Sequence, residues 1–318
     1  MSVTVRSFAK INLGLYIGPP RPDGFHELRT VYQTIGLYDL ITIGVRRGAG
    51  IEILSADSRV PTDATNTCYR IVERAMAALG AKGRVTVEIE KRLPVQGGLG
   101  GASANAVATL LALERALKKR LPQADRLRIA AEVGSDLPLF LVGGTALGVE
   151  RGEAVFPLPD LPAIPCVIVT PEIGVSTPRA FADWDRKVAE KLTVSAPSDR
   201  INRFGHVLSA WLSDASGASA RSRSRAESPL LDLVRTGIEN DFERVVFPQY
   251  PELRDFKSVL EGAGALYASL SGSGSALYGL FRTRDAAKRA VARLKKAGVP
   301  AQATSTMTRR QYWKRIFD

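Results

Sequence analysis

Apolar and polar positions alternate from the start of the chain, where Val3, Val5 and the run INLGLYI predict strands. Leu40 to Val45 and Ile51 to Leu54 predict two more. From Asn66 to Leu79 the period lengthens: Ile71, Val72, Ala75, Met76 and Leu79 share one helical face, and Gly80 is placed to end the helix. Val85 to Ile89 alternates cleanly, as a strand with one buried face does. A glycine-rich loop follows, then an alanine-rich helix from Ala102 to Leu117. Val107, Leu110, Leu111 and Leu117 make its apolar stripe, and Lys118, Lys119 and Arg120 suit the negative pole of its dipole.

The proline-rich run PLPDLPAIP breaks this rhythm at Pro157 to Pro165 and divides the chain into residues 1–158 and 159–318. Beyond it, Val167 to Val169 predicts a strand, and residues 199–212, 253–260 and 285–297 predict helices. Strands are expected at 266–270 and 276–281, on either side of a second Gly/Ser loop. Residues 213–228, SDASGASARSRSRAES, are polar and of low complexity, which predicts a mobile surface insertion. Its Arg221, Arg223 and Arg225 read as a solvated charge run. No internal repeat is present. Strands and helices are mixed without regular βαβ units, which argues for an α/β or α+β enzyme-like architecture and against a plain doubly wound sheet.

With 45% apolar and 24% charged residues, the 318-residue chain is neither disordered, collagen-like nor a disulfide framework. Lys and Arg outnumber Asp and Glu by 44 to 32, a formal charge of +12 that points to an anionic partner: nucleic acid, a membrane surface or a small phosphorylated ligand. Cys68 and Cys166 read as reduced buried thiols, consistent with a cytosolic compartment. The two histidines, His26 and His206, are too few for a His/Cys zinc cluster. No apolar run approaches the ~20 residues of a membrane span, and the N-terminus lacks the apolar core of a signal peptide. A soluble, cytoplasmic protein is expected.

The densest chemical signal is PVQGGLGGASANA, Pro94 to Ala106. Four glycines stand between a predicted strand and a predicted helix. Glycine lets backbone amides approach a ligand closely, and a helix N-terminus offers unpaired N–H groups and a positive dipole end. Together they make a phosphate cradle, to which Ser103 adds a hydroxyl for a phosphate or a bound Mg²⁺. No Gly-Lys-Ser/Thr closes the loop, so it is not a Walker A motif, and Ser103 stands where a dinucleotide fingerprint needs glycine. The second loop, LSGSGSA, on its own reads as a hairpin turn. Lys10 lies in an apolar strand and needs a partner. Asp136, before Leu137 and Pro138, reads either as a helix N-cap or, if it meets Lys10, as an ionised carboxylate beside a reacting hydroxyl.

These motifs resemble the kinases that act on galactose, homoserine, mevalonate and phosphomevalonate. PVQGGLGGASANA is similar to their phosphate loop and LSGSGSALYGLF to their C-terminal glycine motif. AKINLGLYIGPPRPDGFHELRTVYQ, GSDLPLFL and NDFERVVFPQYPEL narrow the resemblance to the branch that phosphorylates a cytidine diphosphate ester of methylerythritol. The resemblance implies an α+β, two-domain small-molecule kinase fold with its active site in the cleft between an ATP-binding domain (1–158) and a substrate domain (159–318). It implies ATP and Mg²⁺, a small-molecule substrate, no nucleic-acid or membrane partner, and a monomer or weak homodimer. Asp136 falls on the catalytic aspartate, Lys10 on its partner lysine and Asn12 on a substrate-orienting amide. Phe25 and Phe181 fall on the aromatic pair around the cytosine ring, and His26 on the residue that hydrogen-bonds the base edge. Pro94, Gly97, Gly98, Leu99, Gly100, Gly101, Ala102, Ser103, Ala104 and Asn105 fall on the loop that holds the ATP phosphates, with Ser103 as metal ligand, and Gly272, Ser273 and Gly274 on the second glycine loop.

The chain departs from that pattern at Gln96, Ala102 and Ala104, where the family often has glycine or serine, and at Phe25, commonly a tyrosine. A homoserine or mevalonate kinase is the competing enzyme reading, against which Phe25, His26 and Phe181 count, since those substrates carry no base to stack. An RNA- or DNA-binding module is the competing non-enzyme reading, but no basic stripe is interleaved with aromatics.

Overall fold

A computed structural model describes residues 2–95, 97–189, 197–217 and 238–317. Gln96 and Arg221, Arg223 and Arg225 lie outside the described residues, as do all of 218–228; residues 213–217 belong to a helix rather than to a loop.

The first half is built on two long strands, β1 (Ser2–Pro20) and β2 (His26–Arg46), antiparallel along most of their length. Two short runs predicted as separate strands are one in β1, and the pattern that predicted only residues 40–45 marks the far end of β2. β3 (Ile51–Ser55), α1 (Thr67–Ala78), β4 (Arg84–Glu90) and α2 (Gly101–Leu117) follow. Asn66 caps α1 by accepting from the Cys68 N–H at 2.8 Å. In β4, Val85, Val87 and Ile89 are buried while their neighbours are not, as their alternation predicts. α3 (Gln123–Val133), α4 (Leu137–Val142), β5 (Thr145–Val149) and β6 (Ala154–Pro157) complete this half. The sheet order is β3-β4-β2-β5-β6, with β1 along the other edge of β2, and β3–β4 is its parallel pair.

The second half holds β7 (Pro165–Val169), α5 (Thr177–Ala189), α6 (Pro197–Gly217), α7 (Glu243–Gln249) and α8 (Pro251–Gly262). Then come β8 (Tyr267–Leu270), β9 (Leu277–Leu280), α9 (Arg284–Lys296), β10 (Ala301–Ser305) and α10 (Arg309–Arg315). Its sheet is antiparallel, in the order β10-β7-β9-β8.

β1 joins the two halves. Its residues from Ser7 to Ile17 are buried throughout, because α2 packs on it from the first half and α6 from the second. Its apolar residues there occupy both faces rather than alternating with polar ones, as burial on both faces requires, and Ser7, Lys10 and Asn12 are the buried polar exceptions. Its register against β2 shifts between Phe8 and Lys10 and again between Asn12 and Gly14. Such bulges re-aim side chains, and these two bracket Lys10 and Asn12. Residues 239–241 add beside β1: Leu15 N–H donates to Glu239 O at 2.8 Å and Asp241 N–H to Leu15 O at 2.8 Å. Buried Arg200 of α6 pairs with Asp241 and Glu239 and lies over the Tyr16 ring.

Asp39 of β2, fully buried, holds the approach to α2. It accepts from the backbone N–H groups of Arg92 (2.7 Å) and Leu93 (2.8 Å), from Asn105 Nδ2 (3.0 Å) and from Lys91 Nζ (2.5 Å). α10 packs back on the first half: Tyr312 donates its hydroxyl to Phe140 O at 2.7 Å and Trp313 its indole N–H to Val142 O at 3.1 Å.

Cys68 and Cys166 are both free and buried. Desolvation pushes the Cys68 thiol up to about 12 and that of Cys166 higher still. Neither should react with a disulfide probe such as dithionitrobenzoate in the folded protein at pH 8, and both should react once guanidinium unfolds it; rapid labelling of native protein would contradict this burial.

Candidate active site

Lys10 and Asp136, far apart in sequence, meet: Nζ lies 3.4 Å from Oδ2. The lysine side chain is 4% exposed and the aspartate 34%, so the pair has a closed and an open side. Lys10 also donates to Asn12 Oδ1 at 2.7 Å. Asn12 Nδ2 donates to Thr30 Oγ1 at 2.8 Å, and that hydroxyl donates on to Gly14 O at 2.7 Å, so the amide is locked in one orientation. Tyr278 fixes the same stretch from the second half, its hydroxyl donating to Asn12 O at 2.8 Å. Asp136 stands at the N-cap position of α4, but its side chain makes no capping bond. It faces Lys10 on one oxygen and accepts the Tyr32 hydroxyl on the other, at 3.0 Å. The capping reading is thereby corrected in favour of the ion pair.

The two glycine loops lean on one another beside this cluster. Gly98 has φ +80° and Gly100 φ +70°, left-handed values that favour glycine. A Cβ on Gly274 would come 2.5 Å from Gly98 N, and one on Gly100 would come 3.0 Å from both Lys10 Cγ and Phe140 Cζ. Ser271 donates its hydroxyl to Gly98 O at 3.0 Å and Ala276 its N–H to Gly97 O at 3.0 Å. The hairpin reading of LSGSGSA holds, since β8 pairs with β9, but its turn is also the wall of the first glycine loop. Asn240 supports that wall, donating to Leu270 O and Gly272 O at 2.9 Å each.

Within the first glycine loop and the turn that follows it, residues divide by what their groups already do. Leu99 and Ala104 are buried, the Lys10 N–H donates to Leu99 O, and the Ala104 N–H donates to Gly100 O. The Asn105 side chain is turned inward, accepting from Ser7 Oγ at 2.6 Å and donating to Asp39. As a phosphate ligand Asn105 is therefore corrected to an anchor of α2. Gly101, Ala102 and Ser103, in the first turn after the Gly100 cap, carry the N–H groups that a helix start leaves unpaired. Pro94 packs behind the loop, its Cγ 2.9 Å from where a Cβ on Gly97 would stand.

At the other end of β2, His26 and Phe181 stack with ring centres 5.0 Å apart and planes 15° off parallel. Asp185 on the same helix, α5, meets His26 Nε2 at 2.6 Å, and Phe242 packs edge-on against Phe181 at 5.0 Å. Phe25 is 50% exposed and lies under the Arg151 guanidinium at 5.0 Å rather than against Phe181. α5 is tied to the second glycine loop through Thr177 Oγ1 and Ser273 Oγ, 2.6 Å apart. His26, Thr30 and Tyr32 stand four and two residues apart along one strand, which sets the His26 and Thr30 backbones roughly 13 Å apart.

Family comparison agrees with this layout. Residues 66–144 match the GHMP kinases N terminal domain and residues 225–300 the GHMP kinases C terminal domain. A 4-diphosphocytidyl-2-C-methyl-D-erythritol kinase of Solibacter usitatus is 42% identical over 287 residues, covering 90% of this chain and 84% of its own. Its counterpart in Desulfitobacterium hafniense is 34% identical, covering 96% and 97%. The chain belongs to the 4-diphosphocytidyl-2-C-methyl-D-erythritol kinase family. A crystal structure of a 4-(cytidine 5'-diphospho)-2C-methyl-D-erythritol kinase superposes with a TM-score of 0.72 at 29% identity, over 96% of this chain and 99% of that one. A homoserine kinase from Cytophaga hutchinsonii, at 21% identity, shares the fold with a TM-score of 0.71.

For this kinase family member, sequence reasoning had missed Thr30, Tyr32, Asp185, Asn240, Ser271 and Tyr278. Each is a polar residue in an apolar stretch or beside a motif, and that is the signal that could have found them. Gly274→Ala should push the two loops apart and weaken ATP binding at least tenfold by calorimetry, with the fold retained by circular dichroism. Unchanged ATP affinity would show that the loops do not hold each other in place.

Proposed function

We propose that the chain transfers the γ-phosphoryl group of ATP to the 2-hydroxyl of 4-diphosphocytidyl-2-C-methyl-D-erythritol, within isoprenoid precursor synthesis in the cytoplasm. The observation that carries the reading is the Lys10–Asp136 pair at the mouth of two interlocked glycine loops, with a His26–Phe181 stack at the start of the strand paired with that of Lys10. Phosphoryl transfer passes through a loose transition state, so positioning and charge neutralisation matter more than a strong base.

The first-turn amides of Gly101, Ala102 and Ser103, with the loop from Gly97 to Gly100, would receive the ATP phosphates. Asp136 orients the 2-hydroxyl and takes its proton late, while the oxygen attacks the γ-phosphorus and ADP leaves. Lys10 holds Asp136 and screens the transferring charge, and Asn12 presents its amide beside them. At the other end of β2, His26 and Phe181 offer a polar edge and an aromatic face to the cytosine, with Phe25 as a second face. Homoserine or mevalonate would leave this end of the site unused.

Among the described residues no three His, Cys, Asp or Glu side chains cluster as a metal site. Mg²⁺ does not require one, because it takes one or two protein oxygens together with substrate phosphates. The Ser103 hydroxyl, in the first turn of α2, fits that need and would hold it. Bound there, the ion neutralises phosphate charge. Among the described residues no helix is long and apolar enough to cross a membrane.

Asp136→Asn should lower kcat by about 10³-fold with ATP affinity within a few fold. Phe181→Ala should raise KM for the cytidyl substrate about tenfold and leave KM for ATP unchanged. Both are read in a coupled ADP-release assay, with homoserine, mevalonate and CTP as controls. Near-normal turnover by the aspartate variant, or turnover of a control alone, would overturn the reading.

A further inference from the structure

We propose that Tyr32 is a positioning residue for phosphoryl transfer: its hydroxyl holds the Asp136 carboxylate in one orientation. This rests on the reading of Asp136 as the acceptor of the substrate proton. Tyr32 is buried on β2, and its hydroxyl donates to Asp136 Oδ1 at 3.0 Å, while the nearest alternative acceptor, Gly152 O, is at 3.5 Å. Lys10 approaches the other oxygen from β1. A carboxylate gripped at both oxygens from two neighbouring strands cannot turn about its Cβ–Cγ bond, and its open side is left for the substrate hydroxyl.

The phenol is placed with equal care. Gly152, at φ +101°, would put a Cβ 2.6 Å from the Tyr32 oxygen, and a Cβ on Gly148 would overlap the ring edge. Two glycines around one β-turn thus make room for one ring. The Lys10 ammonium lies 5.6 Å from the ring centre, over a face that attracts cations. A phenylalanine would fill this slot equally well, so what the hydroxyl adds is the hydrogen bond itself.

The direction of that bond is settled. Burial, and then the negative charge and hydrogen bond of Asp136, push ionisation of the Tyr32 phenol well above its usual range, with a smaller contribution from Glu153. Glu153 is paired with Arg151 at 2.8 Å. The O–H is therefore present at every working pH and serves as a donor. Among the described residues, Lys10 from β1 and Tyr32 from β2 hold the two carboxylate oxygens.

Tyr32→Phe should lower kcat about five- to tenfold, with KM for ATP and for the cytidyl substrate within about twofold. Tyrosine replaced at this position by 3-fluorotyrosine, which keeps the donor and the shape, should restore kcat to within about twofold of the parent with the melting temperature unchanged. An unchanged kcat in Tyr32→Phe, an effect confined to KM, or a 3-fluorotyrosine variant as slow as Tyr32→Phe would overturn the proposal. Asp136→Asn, assayed alongside, separates the two readings: if it retains turnover the assignment of Asp136 fails, whereas if it abolishes turnover while both Tyr32 variants behave as the parent, only the role of Tyr32 fails.

Discussion

A lysine ammonium enclosed within an apolar strand is tolerated only where charge and hydrogen-bond acceptors are brought to it, and the surroundings of Lys10 are arranged around that demand. Two irregularities in β1 turn Lys10 and Asn12 into the same space. Asn12 supplies an amide oxygen, Asp136 a carboxylate and Tyr32 an aromatic face. Each of these is held in turn: Asn12 by Thr30, Asp136 by Tyr32, Tyr32 by a slot that two glycines leave open. The geometry of the Lys10–Asp136 pair and the compensation of a buried charge are thus one arrangement.

The glycine loops add a constraint of a different kind, since they touch through backbone atoms. At Gly98 and Gly274 no side chain separates the chains, so neither loop has space to shift alone. One loop belongs to the first sheet and the other to the second, and the second is further tied to α5 through Thr177 and Ser273. The phosphate end and the ring-stacking end of the site therefore share a continuous frame.

Much of this was legible in the sequence. Clean periodicity located α1, β4, α2 and the β8–β9 hairpin, and glycine density marked the first loop, which packs against the second. What escaped did so for physical reasons. β2 between residues 26 and 39 is polar at many positions because it carries the site, and so lacks the alternation of a surface strand. Asp136 sits where a cap would sit, and only tertiary pairing reveals that its side chain turns to Lys10 and Tyr32. Asn105 lies within the loop motif yet faces Ser7 and Asp39, because helical rotation at the start of α2 carries it inward. Phe25 and Phe181, expected to flank a cytosine ring, have neighbours of their own that no motif announces: Phe181 stacks on His26 and Phe25 lies under Arg151.

The return of α10 to the first half has a consequence for how the protein is made. Tyr312 and Trp313 supply hydrogen bonds to the carbonyls of Phe140 and Val142, and Met307, Tyr312 and Ile316 are members of the same core as β4, α1 and α2. During synthesis the first half leaves the ribosome with that face unfilled, and it stays so while some 160 further residues are added. The helix that carries Asp136 at its entrance is thus closed over last, and the nascent first half must be shielded from self-association until translation reaches α10.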